Sequence, residues 1–278
     1  MANTVRHALS VDVEEWFHAH ALREAVSQRP PEEWESRVVQ TTHELLDLFD
    51  EAGTRATFFI LGWVAEKQPD LVREIVGRGH EIATHGHSHT RVDHMTPEVF
   101  AEELRRAVKI CEDITGQRVL GHRAPSFSVT SETPWAFDAM LDLGLTYDSS
   151  HRGLHAPHWI TTPSGRRIRE FPVTCHRLLG RRIHVAGGGF FRLFPLWTTV
   201  RLLRAAERRG FPGNFFLHPW EHDAGQPNLR VGRLRHFRHY SRLASVIPKL
   251  RTLLRTLPFA PMRDILDEHL PLESETIP

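Results

Sequence analysis

The stretch 81–94, EIATHGHSHTRVDH, gathers the residue types that bind metals. His85 and His89 are four residues apart, a spacing that predicts two imidazoles on one side of a helical turn, converging on one cation. Imidazoles suit zinc or a neighbouring transition metal. Gly86, His87 and Ser88 lie between them, so the H-E-x-x-H pattern of zinc proteases, with its general base after the first His, is absent. A base and a third ligand must come from elsewhere. The plainer reading is a polar, His-rich loop in a chain that holds 20 histidines.

Acidic residues at the end of the first strand candidate, ALSVDV at 8–13, are the nearest supply. In extended backbone Asp12 and Glu14 project to one face and Glu15 to the other. Two carboxylates together at an apolar strand end are costly to bury without a cationic partner, which favours a metal there over a solvated acidic turn. Arg123, at the end of the short strand 119–121, and His218, at the end of the apolar strand 213–218, occupy equivalent positions. In parallel barrels functional groups collect at strand C-termini.

The elements that must position these groups alternate. Helical periodicity marks 32–51, 69–78, 96–115 with Thr96 as N-cap, 133–143, 195–209 and a final helix at 241–257. Apolar runs of strand length mark 56–61, 81–83 and 145–148. Strand and helix in alternation predict an α/β fold around a parallel sheet or barrel. Residues 149–194 read as hairpin-like pieces, and Gly187, Gly188 and Gly189 lack the register of a phosphate loop, which leaves a flexible turn. The terminal ESETIP is expected to fray.

Composition narrows the function. A formal net charge of +1 and 25% charged residues leave no nucleic-acid footprint. The last quarter is locally basic, with Arg230, Arg233, Arg235, Arg238, Arg242, Lys249, Arg251 and Arg255, either a solvated helix face or a surface for anionic sugars, lipid-linked substrate or a membrane. Cys111 and Cys175 are too few for a disulfide framework and read as reduced. The first residues reach acidic side chains before an apolar h-region forms, and no apolar run approaches a membrane span, so the expected location is cytoplasmic.

Taken in order, Asp12 and Glu14, the TFF strand at 57–59, His85 with His89, Arg123 with Pro125, and F-L-H at 216–218 resemble the polysaccharide deacetylases of the NodB homology group, carbohydrate esterase family 4. DVEEWF, GGGFFRLFP, HPWE and the basic C-terminal stretch are most similar to the deacetylases of exosortase-linked exopolysaccharide systems. The resemblance covers nearly the whole chain. It implies a distorted (β/α)7 barrel over residues 1–225, with residues 226–278 a basic, mostly helical extension packed on it. It also implies a divalent cation, zinc with cobalt or nickel as alternatives, held by Glu14, His85 and His89. Asp12 matches the family's catalytic base, Arg123 the arginine that orients it, and His218 the histidine acid.

Two departures stand out. The common T-F-D-D start is replaced by S-V-D-V-E, so the metal carboxylate is displaced by one residue and becomes a Glu; the same-face argument selects Glu14 over Glu15. R-x-P-x-Y becomes R-A-P-S-F, which removes a phenol and leaves the backbone N–H of Phe127 as the oxyanion donor. The aspartate that tunes the histidine acid has Asp148 as its candidate. Phe191 and Trp220 are candidates for stacking on sugar rings.

The implied activity is hydrolysis of N-acetyl groups on amino sugars of a bacterial exopolysaccharide or its lipid-linked precursor. The expected partner is an N-acetylated polysaccharide or oligosaccharide, with peripheral membrane contact through the basic segment. A small cyclic amide or imide is the alternative substrate. A non-catalytic carbohydrate-binding component of a polymer export system is the alternative class, and it has no need of base, ligands, arginine and acid together.

Overall fold

The computed structural model describes residues 5–178, 181–183 and 186–272, with the backbone alone for 176–178 and 181–183. The terminal ESETIP lies outside the described residues. The central sheet contains β1 (His7–Val13), β2 (Thr57–Ile60), β3 (Glu81–Thr84), β4 (Gly121–His122), β5 (Tyr147–Asp148), β6 (His158–Thr161), β7 (Arg167–Glu170), β8 (Asn214–Leu217) and β9 (Phe259–Ala260). Its order is β8-β1-β2-β3-β4-β5-β7-β6, with β9 also paired to β1. Every pairing is parallel except β6 with β7.

The sheet curls into a distorted (β/α)7-type barrel, and side chains along its strands alternate between the two faces. Leu9, Val11 and Val13 of β1, with Phe58 and Ile60 of β2, pack outward in the main hydrophobic cluster. The main helices are α1 (Val38–Glu51), α2 (Pro69–Gly77), α3 (Pro97–Thr115), α4 (Trp135–Asp142), α5 (Leu196–Glu207), α6 (Arg233–Tyr240), α7 (Val246–Thr256) and α8 (Met262–His269), of which α1 to α5 and α7 pack on that cluster. The opposite face of the strands carries Ala8, Phe59, Ala83 and Tyr147, which meet Met262, Ile265 and Leu266 of α8. That helix plugs one end of the barrel. Side chains join the far edges: Asn214 donates to Phe171 O at 3.1 Å, and Thr174 Oγ1 accepts from Asn214 N at 2.8 Å.

Several expected boundaries move. The helix expected from residue 32 begins at Val38, because the chain from Trp34 stays extended and the Glu35 carbonyl accepts from Trp16 Nε1. Helix α3 matches its signals, with Thr96 accepting from Val99 N and Gly116 left-handed at its end. The single final helix is instead α7, β9 and α8, since Pro258 and Pro261 forbid helix continuation and a two-residue strand leaves no alternation to read. Gly187 is no loose turn: it bridges Phe216, and a Cβ there would sit 1.9 Å from the Phe216 carbonyl oxygen.

Candidate metal and hydrolytic site

Parallel strands present their C-terminal ends together, and the residue just past each strand builds the site. Those residues are Glu14 after β1, His85 after β3, Arg123 after β4, Ser149 after β5 and His218 after β8. Asp12, two residues before Glu14, shares its face as period-2 backbone requires. Glu15 turns away and is satisfied by Ser36 Oγ and the Arg37 N–H.

Arg123 is fully buried and committed to aiming Asp12. Its Nη1 donates to Asp12 Oδ1 at 2.6 Å and to Ser10 Oγ at 2.9 Å, its Nη2 donates to Ser149 Oγ at 3.0 Å, and its guanidinium covers the Phe59 ring at 4.1 Å. A buried guanidinium so paired has its charge compensated, and removing the carboxylate would strand it. His85 Nδ1 lies 2.8 Å from the Arg123 carbonyl oxygen. A carbonyl only accepts, so Nδ1 carries the proton and Nε2 presents a bare lone pair to the cavity.

His89 reaches the same point by a different backbone route from the helical turn expected. Residues 85–89 form a loop in which Gly86 (φ 74°) and His89 (φ 58°) are left-handed, and its carbonyls at Gly86 and His87 accept from the N–H groups of Gly62 and Trp63. The loop brings the two imidazole centroids to 5.6 Å. One ligand atom from each of Glu14, His85 and His89 lies within 4.8 Å of the others. Glu14 Oε2 sits 2.5 Å from His89 Nε2 and 3.8 Å from His85 Nε2, yet it is buried with no hydrogen-bond partner. A carboxylate oxygen facing imidazole nitrogens with its hydrogen bonding unmet is the donor set that a divalent cation fits. Burial drives the Glu14 carboxyl up, but His89, His218 and His85 outweigh it and hold it well below the usual carboxylate range.

His218 completes the ring, its Nε2 3.8 Å from both Asp12 Oδ2 and Glu14 Oε1. Burial opposes charging of His218, but Glu14, Glu221 and Asp12 together push its pKa up to about 9. Its Nδ1 faces Glu221 Oε1 at 3.4 Å. Asp148 does not have that role: it bonds His122 Nδ1 at 2.7 Å and Ser150 instead. Glu221 was legible as the last residue of HPWE, three positions after His218, but not as its partner.

Three further assignments change. The Phe127 N–H is donated to the Ala124 carbonyl at 2.9 Å, closing a tight turn, so it is not the oxyanion donor; its ring packs edge-on to Phe216 at 5.2 Å. Phe191 is 2% exposed and meets Phe215 at 5.0 Å inside the core, where no sugar ring reaches it. Trp220 has no open face, being sandwiched between His218 at 4.8 Å and His239 at 4.9 Å. It serves instead as a positioning group, donating Nε1–H to Glu14 Oε1 at 3.0 Å. His239 belongs to α6, so the C-terminal segment supports the site.

A family model described as polysaccharide deacetylase matches residues 33–147, and one for a domain of unknown function, DUF3473, matches residues 147–267. Residues 33–147 thus carry a polysaccharide deacetylase domain. Among curated proteins it is 27% identical over 122 residues to a chitooligosaccharide deacetylase of Bradyrhizobium sp. (strain ANU 289), covering 44% of this chain and 51% of that protein. It is 32% identical over 106 residues to a peptidoglycan deacetylase of Helicobacter pylori, covering 38% and 35%. The matches thus span about half or less of those relatives' lengths. Among solved structures, a family 4 carbohydrate esterase from Streptomyces lividans in complex with acetate has a TM-score of 0.52 at 15% identity, covering 92% of this chain and 91% of that one. Puue allantoinase has a TM-score of 0.62 at 18% identity, covering 97% and 92%.

Proposed function

We propose that this protein is a metal-dependent deacetylase acting on N-acetylated amino sugars of a bacterial exopolysaccharide or its lipid-linked precursor, with release of acetate. The observation that carries the reading is a buried, arginine-aimed carboxylate, Asp12, sharing one cavity with Glu14, His85, His89 and His218. Glu14, His85 and His89 would hold the cation, zinc by ligand type with cobalt or nickel as alternatives. Such a cation supplies Lewis acidity for the acetamide carbonyl and for water. Asp12, aimed by Arg123, takes the proton from the attacking water. His218, held by its stack on Trp220 with Glu221 Oε1 3.4 Å from its Nδ1, delivers a proton to the departing amine.

DVEEWF, GGGFFRLFP and HPWE support the exosortase-linked subtype. Contact with a membrane or lipid-linked glycan finds support in α6, where Leu234 and Phe237 are 69% and 57% exposed beside Arg233, Arg235 and Arg238. Among the described residues no helix is long and apolar enough to cross a membrane. The test is acetate release from N-acetylglucosamine oligomers by metal-loaded protein, with loss in His85→Ala at unchanged folding. Full activity after chelation would sink the metal mechanism. Turnover of cyclic amides alone would move the substrate class, and glycan binding without turnover at any metal loading would favour the binding module.

A further inference from the structure

The segment between β1 and α1 does more than connect them. Residues 17–34 wall a cleft of about 480 Å³ lined by Phe17, His18, Arg23, Arg29, Pro31 and Trp34, inside the size range of small-ligand sites. The cleft lies one ring from the metal ligands, because His18 stacks on His89 with centroids 5.4 Å apart and planes 24° from parallel. His18 Nδ1 accepts the Glu15 N–H at 3.2 Å, so that nitrogen is unprotonated and the ring's proton sits on Nε2, a donor.

The charges in this segment are sorted. Of its three glutamates, Glu24 pairs with Arg235 and Glu32 with Lys67 at 4.0 Å, and Glu33 is exposed and does not line the cleft. Among the described residues neither Arg23 nor Arg29 has a carboxylate within 4.0 Å, although both line the cleft. Arg29 is held over the Trp34 ring, 5.2 Å from its centroid. Stacking of that kind occupies the guanidinium face and leaves its in-plane donors for an anion. A cleft with an aromatic wall, two unpaired guanidinium groups and an imidazole donor selects a sugar that brings its own negative charge.

We propose that this cleft is a subsite for an anionic group on the glycan, adjoining the N-acetyl sugar at the Glu14, His85 and His89 centre. The anion is either the carboxylate of a neighbouring uronic acid or the pyrophosphate of a lipid carrier. The inference rests on the deacetylase reading for its substrate, but binding tests it without turnover.

Titrations of the full chain, followed by tryptophan fluorescence, would compare three probes: N-acetylchitotetraose, a tetrasaccharide alternating N-acetylglucosamine with glucuronate, and farnesyl-pyrophosphoryl N-acetylglucosamine. At least one acidic probe is expected to bind about tenfold more tightly than the neutral one, and the preferred probe identifies the source of the anion. Arg23→Ala with Arg29→Ala is expected to erase that preference, while the double Lys variant, checked for the same melting temperature, retains part of it. Equal affinity for all three probes, or a preference that survives the double Ala variant, overturns the proposal. Acetate release in the same samples reports separately on the deacetylase reading.

Discussion

The barrel buries a glutamate at each end, and the two are treated oppositely. At the plugged end Glu81 is surrounded by donors: Thr57 Oγ1 and the Arg263 N–H on Oε2, at 2.5 and 3.1 Å, and Tyr147 OH on Oε1 at 2.9 Å. Burial raises its pKa. At the open end Glu14 has one conventional hydrogen bond, from Trp220, and its other oxygen confronts imidazole nitrogens without bonding them. Both carboxylates cost free energy to bury. The first is made whole by protein donors and stiffens the fold; the second is left incomplete, which is how a ligand site differs from a structural one.

Removing charge at each end should therefore separate activity from stability. Glu14→Gln is expected to lower acetate release by about 10²–10⁴-fold while leaving the melting temperature unchanged or raised, whereas Asp12→Asn is expected to lower release as much and also to lower the melting temperature, because it strands the buried Arg123 guanidinium. Equal loss of folding and activity in Glu14→Gln would erase the contrast. Glu221→Gln, one step from the centre, is expected to reduce kcat roughly tenfold with little change in KM, measured as initial rates of acetate release. At the other end Glu81→Gln turns an amide toward Thr57 or the Arg263 N–H and is expected to cost about 1–3 kcal/mol, read by thermal unfolding, with specific activity per folded molecule retained. Activity lost in Glu81→Gln at full folding would break the comparison from the other side.

The contrast also explains what the sequence could and could not disclose. Asp12, Glu14, His85, Arg123 and His218 were legible because each sits at or just past the end of a short apolar run, where position alone fixes the face it shares. The convergence of His89 was legible as spacing but not as geometry, since left-handed backbone at Gly86 and His89 replaces the helical turn. The roles of Phe191 and Trp220 were hidden because an aromatic stacked on a sugar and one packed in a core have the same local pattern. Glu221 and Asp148 are both carboxylates near a strand end, and only the tertiary arrangement decides which imidazole each one meets. Helix α8 and its plug were hidden behind two prolines that leave β9 only two residues long.

The smallest expected effect concerns the outer layer, where burial rather than ligation controls a histidine. His80 accepts the Ala56 N–H at Nδ1 at 3.1 Å and packs edge-on against Phe58 at 4.9 Å. Burial, reinforced by Arg55, holds its pKa down to about 4. Above the unfolded value of 6.5 both states are neutral and His80 contributes no pH dependence. Between that value and about 4 the unfolded chain binds a proton that the native state refuses, so stability falls as pH falls. From pH 7 to 5 this amounts to on the order of 1–2 kcal/mol. His80→Asn, which keeps an acceptor for Ala56, should flatten that part of the stability profile in urea unfolding at the two pH values. An unchanged slope would mean that His80 is protonated in the native state and that burial does not control this histidine.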